Sequence, residues 1–88
     1  MPGVSKKTPL PHWRRVMERA GWLTASDVAR AARIPNDTAH RTVYGKTTPS
    51  LETILKIAEA ANVHPEDIAR DVVRYLIEQR TASGAVIR

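Results

Sequence analysis

Residues 24–44 read TASDVARAARIPNDTAHRTVY, which specifies two short helices across a sharp break. Thr24 followed three residues later by Asp27 is a helix-opening pair, in which a hydroxyl and a carboxylate each satisfy an amide that the first turn leaves free. Val28, Ala29 and Ala32 add a narrow apolar face, so a helix is expected from about Ala25 to Ala32. Arg33-Ile34-Pro35 ends it, because proline has no amide to donate and its ring clashes with the preceding turn. Asn36 or Asp37 is placed to cap a second helix that runs to about Tyr44. In that helix Ala39 and Val43 form the inward pair at i and i+4, while Asn36, Asp37, His40, Arg41 and Tyr44 point outward. A helix this polar is poorly accounted for as a strut alone.

The flanking sequence extends the same pattern. Trp13, Val16, Met17 and Ala20 share one face of a helix that Gly21 closes. Beyond the loop Gly45-Lys46-Thr47-Thr48-Pro49, Ser50 caps a helix carrying Leu51, Ile54, Leu55, Ile57, Ala58 and Ala61. Asn62 suits the left-handed closing position, and His64 is expected to cap a fifth helix whose first residue is Pro65. That helix carries Ile68, Ala69, Val72, Val73, Leu76 and Ile77. The expected fold is all-α, a compact five-helix bundle containing a helix-turn-helix. Residues 1–11 are expected to form a flexible basic N-terminal arm, residues 12–80 the domain, and residues 81–88 a fraying tail.

Composition narrows the function. A chain of 88 residues supports one domain with a small core. Zero cysteines exclude disulfides, thiolate zinc sites and a cysteine nucleophile. No apolar run approaches the roughly 18 residues of a membrane span, and the start MPGVSKKTPLPHW lacks a secretory apolar stretch, so a cytoplasmic location is expected. The net charge of +5 is unevenly spread. Nine bases (Lys6, Lys7, Arg14, Arg15, Arg19, Arg30, Arg33, Arg41, Lys46) face three acids (Glu18, Asp27, Asp37) through Thr48, whereas five bases face six acids from Pro49 onward. An N-terminal half that attracts phosphate points to a polyanionic partner.

In a DNA-binding helix-turn-helix the second helix lies in the major groove, with polar residues outward and small or apolar ones inward. Thr24 to Tyr44 meets that demand. The stretch LTASDVARAARIPNDTAHRTVYGKTTPSLETILKIAEAANVHPEDI resembles the lambda-repressor/Cro helix-turn-helix family. The resemblance rests on Leu23-Thr24 before helix 2, the Gly45-Lys46 exit from helix 3, and Pro49-Ser50-Leu51-Glu52-Thr53 followed by Ile54, Leu55, Ile57 and Ala58. With Trp13 to Gly21 as helix 1, it covers roughly residues 12 to 78.

The resemblance implies a double-stranded DNA-binding transcriptional regulator, usually a dimer on a near-palindromic operator, and a repressor. It implies base reading by Asn36, Asp37 and Arg41, with His40 nearby, and phosphate contact by Lys46 and Thr47. Thr24, Arg33, Thr38 and Tyr44 are further candidates for the DNA backbone, as are Lys6 and Lys7 of the arm. Arginine can donate two parallel hydrogen bonds to guanine and asparagine can pair with adenine. Asp37 has two readings, one aiming Arg41 as its i,i+4 partner and one accepting from cytosine N4. Four positions depart from the family pattern. Arg33 replaces the turn glycine, Ala25 a glutamine, Pro35 a serine cap, and Thr42 an apolar residue, the last predicting looser docking of helix 3.

The other candidates have plainer readings. His12, His40 and His64 show no metal-ligand spacing, and no nucleophile elbow or glycine-rich phosphate loop is present, so neither metal, cofactor, small-molecule ligand nor enzyme activity is expected. Trp13 lies on the apolar stripe of helix 1 and is read as core, while Trp22 is expected to be half exposed. On helix 5, Ile68, Val72 and Leu76 suffice for docking, which leaves Val73 and Ile77, with Tyr75 at their edge, as a self-association stripe or as further core. The alternative function is a protein-interaction module, an antitoxin-like chain that binds a partner through helix 5 and the tail.

Overall fold

Each helix begins and ends where local chemistry dictates. The computed structural model describes residues 8–82. These form α1 (Pro11–Ala20), α2 (Ala25–Ala32), α3 (Asn36–Val43), α4 (Leu51–Ala61) and α5 (Pro65–Ala82), with no strand among the described residues. At the start of α2 the Thr24 hydroxyl accepts from the Asp27 amide at 3.2 Å. The Asp27 carboxylate accepts in return from the Leu23 and Thr24 amides at 2.8 and 3.1 Å. Those two amides hold the carboxyl below its ordinary range. Ser50 caps α4 by accepting from the Thr53 amide at 3.1 Å. His64 contributes its carbonyl at the start of α5, accepting from the Asp67 amide at 3.1 Å.

Four helix ends share one device. Gly21, Arg33, Gly45 and Asn62 all have positive φ, at 79°, 59°, 75° and 58°. In each case the next residue donates its amide to the carbonyl five positions back: Trp22 to Met17, Ile34 to Ala29, Lys46 to Arg41, and Val63 to Ala58. This closure satisfies carbonyls that the last turn would otherwise leave unpaired. Arg33 therefore keeps the turn that glycine usually makes rather than reshaping it, at φ 59° and ψ 48°.

The core joins all five helices. Trp13 and Met17 of α1, Val28, Ala29 and Ala32 of α2, and Ala39 and Val43 of α3 are buried with Ile54, Ile57 and Ala58 of α4 and with Ile68 and Val72 of α5. Alanines on α2 allow α3 to lie close against it, and these two helices share the most extensive contact in the bundle. α4 sits under α2 and α1 and against α5.

Several expectations are corrected. α1 begins at Pro11, and Leu10 already packs on the core, so the domain takes in two residues assigned to the arm. α5 continues past the expected break at Thr81, whose hydroxyl donates to the Ile77 carbonyl at 3.0 Å. Lys6 and Lys7, and residues 83–88 of the tail, lie outside the described residues. Neither Asn36 nor Asp37 caps α3, because the cap position falls on Pro35, which has no side-chain acceptor. Thr42 does not loosen α3: it is 1% exposed, as deeply buried as Val43 beside it. Leu51 and Leu55 leave the core face of α4, at 73% and 50% exposure.

Candidate nucleic-acid interface

The two-sidedness of α3 is what its sequence requires. Ala39, Thr42 and Val43 are buried against the bundle, so Asn36, Asp37, His40 and Arg41 are turned outward and exposed. Arg41 Nε lies 3.2 Å from Asp37 Oδ2, both side chains being largely exposed. An exposed pair of this kind adds little stability. Its effect is directional, because it engages the guanidinium through Nε on the exposed outer face of α3. The His40 and Tyr44 rings lie 4.6 Å apart, tilted by 48°, with Tyr44 half-buried at the end of the helix. Thr38, also half-buried, lies one turn before Thr42.

Around this face lie further donors. Thr24 is exposed at the start of α2, and its capping bond uses the hydroxyl as acceptor, so the O–H remains a donor. Arg33 is exposed in the turn between α2 and α3. At the exit of α3 the Lys46 and Thr47 amides both donate to the Arg41 carbonyl, at 2.8 and 3.4 Å. Their amides are thereby committed, and it is their exposed side chains that extend outward. Sequence reasoning passed over Ser26 and Arg30, which line one groove with Asn36. Ser26 reads as an ordinary first-turn residue and Arg30 as the i,i+3 partner of Asp27, so nothing local marked them.

The α5 candidates divide. Val73 and Ile77, one turn apart, are 54% and 48% exposed. Tyr75 does not join them, since two residues along a helix rotate a side chain by about 200°. It is half-buried on the α1 side, with its ring 5.6 Å from that of His12. His12 is itself buried, and this burial lowers its pKa although the Asp71 carboxylate opposes the shift. Among the described residues no helix is long and apolar enough to cross a membrane.

A family model described as the Cro/C1-type HTH DNA-binding domain matches residues 12–73, well over half of the chain. The comparisons with curated proteins and with solved structures found no match.

Proposed function

Because the chain belongs to the Cro/C1-type helix-turn-helix DNA-binding family, we propose that it is a sequence-specific transcriptional regulator acting as a repressor, with α3 in the major groove. The observation that carries this reading is the outward face of α3, where Asn36, Asp37, His40 and Arg41 are all exposed and Asp37 Oδ2 lies 3.2 Å from Arg41 Nε. In that arrangement Arg41 donates twice to guanine O6 and N7, and Asn36 pairs with adenine. Asp37 then acts mainly by aiming Arg41, and His40 supplies a further base contact. Thr24, Arg33, Thr38, Tyr44, Lys46 and Thr47 hold phosphates, joined by Lys6 and Lys7 of the arm. Phosphate contacts of this kind fix register and supply affinity without sequence information.

Two copies bind a near-palindromic operator in the cytoplasm, with Val73 and Ile77 at the seam. Their exposure as an i,i+4 apolar pair among the mainly charged exposed residues of α5 supports this. The experiment is a pair of substitutions measured on duplexes of varied sequence and salt. Arg41→Ala relaxes preference at one base pair per half-site, at about 1–3 kcal/mol. Lys46→Ala weakens all sequences alike and lowers the salt slope by about one unit. If Arg41→Ala weakens every duplex equally, base reading by Arg41 is rejected.

A further inference from the structure

Three of the four left-handed helix ends are followed by an apolar residue that packs inward: Trp22 and Val63 partly buried against the core, and Ile34 within it. Such a contact ordinarily accompanies this type of closure. The fourth end, that of α3, is followed by Lys46, which is exposed. Here the apolar contact comes from elsewhere in the chain. The Leu10 side chain lies directly on Gly45, so closely that a Cβ built on that glycine would stand 2.8 Å from Leu10 Cδ1 and 3.1 Å from Cδ2. The Leu10 amide donates to the Val43 carbonyl at 2.8 Å, and its own carbonyl accepts from the Arg14 amide at 2.8 Å as α1 begins. One residue thus ties the last turn of α3 to the first turn of α1, which Trp13 anchors in the core.

We infer that Leu10 is a positioning residue for the phosphate contacts of the α3 exit: it holds Gly45 in place so that Lys46 and Thr47 meet the DNA backbone. The inference rests on the DNA-binding reading above. Gly45 has no side chain with which to secure its own left-handed geometry, and a lysine cannot be drawn into the core as Trp22, Ile34 and Val63 are. A cavity of about 90 Å³ opens beside the same junction, bordered by Leu10, Trp13, Thr42 and Lys46. Truncating Leu10 enlarges that space and frees the exit loop to move away from its α3 register.

The test uses the full chain and a duplex that the wild type binds, titrated across a salt series, with thermal melting of each variant alongside. Leu10→Ala is expected to lose affinity on the order of tenfold, what one charged hydrogen bond contributes, and to lower the salt slope by about 0.9, what one phosphate contact contributes. Its relative preference among base-substituted duplexes stays as in the wild type. Leu10→Met, which keeps the apolar bulk, restores both values. Gly45→Ala also loses affinity, in part from the strain of a Cβ at φ 75° and in part from crowding Leu10, and only the second part disappears in a Leu10→Ala background, so the double variant shows a smaller but not abolished effect of Gly45→Ala. Should Leu10→Ala fail to fold, Leu10→Val carries the test, with the same sign and a smaller loss. A role in stability alone lowers the melting temperature and leaves the salt slope of the folded variant untouched, and that result overturns the inference. A wild-type chain that binds no duplex overturns the functional reading and this inference with it, whereas unchanged binding by Leu10 variants of a chain that does bind overturns this inference only.

Discussion

Arg33→Gly should make the protein more stable while weakening its grip on DNA. Arg33 closes α2 at φ 59° and ψ 48°, nearly the geometry of Asn62 at φ 58° and ψ 46°. Asparagine tolerates that region because its short polar side chain bonds locally, whereas an arginine Cβ crowds the following carbonyl at a cost of about 1–2 kcal/mol. Glycine removes the crowding but raises the entropy of the unfolded chain, worth about 0.4–1 kcal/mol in the other direction. With the middle of each range the difference is a gain of about 0.8 kcal/mol, which in a domain of this size raises the melting temperature by about 3–6 °C. Arg33→Ala keeps the Cβ and so the strain, and gains nothing. Both variants lose the guanidinium, and both should lower the salt slope of DNA binding by about 0.9. Calorimetric melts of the three proteins decide the first point and salt titrations the second. If Arg33→Gly melts at or below the wild-type temperature, the account of strain at this turn is wrong, and if neither variant changes the slope, Arg33 does not touch phosphate.

Local perturbations elsewhere have equally definite signs. Thr24→Ala removes the hydroxyl that accepts from the Asp27 amide and should lower stability by about 0.5–2 kcal/mol in urea unfolding, with Thr24→Ser restoring most of it; an unchanged midpoint contradicts the cap. Burial holds the folded pKa of His12 below its ordinary 6.5, so as pH falls the unfolded chain takes up that proton first. The contribution of His12 to stability is therefore full above pH 6.5 and declines as pH falls below it, and His12→Gln should flatten that decline in urea midpoints measured across the range. An identical pH profile in the variant refutes the assignment. For Asp27, whose carboxyl is held low by two amides, the sign is opposite in origin but the same in direction: its stabilisation is present above pH 3.8 and is lost as pH falls through the depressed value, an acid-limb loss that Asp27→Asn should remove.

What the sequence made legible was whatever depends on neighbours within a turn. Thr24 with Asp27, Ser50, Gly21, Asn62 and Pro65 mark helix boundaries by chemistry confined to four or five residues, and all five helices were readable from them together with apolar spacing. The misreadings arise where geometry at longer range decides. Leu51 is in register with Ile54 and Ala58, yet in the first turn its side chain points back past the helix end, where nothing covers it. Tyr75 looked like the edge of an apolar stripe until α1 placed His12 opposite it. Leu10 sits in a proline-rich stretch without periodicity, and its partners Val43 and Gly45 are more than thirty residues away, so no local pattern could reveal it. At the interface, the exposure of Asn36, Asp37, His40 and Arg41 follows from the burial of Ala39 and Val43, which the spacing already implied. Which nitrogen of Arg41 the aspartate engages, and the groove that Ser26 and Arg30 share with Asn36, required the folded chain.

The central claim is that this small helical domain reads DNA sequence, and selection of the purified chain against a random duplex library tests it most directly. At roughly 150 mM salt, phosphate-only binding is already weak, so what survives selection reports on base contacts. The account predicts an enriched inverted repeat with half-site centres about 10–10.5 base pairs apart, the spacing that brings two recognition helices to one face of the duplex. A bound fraction with no enriched motif contradicts it.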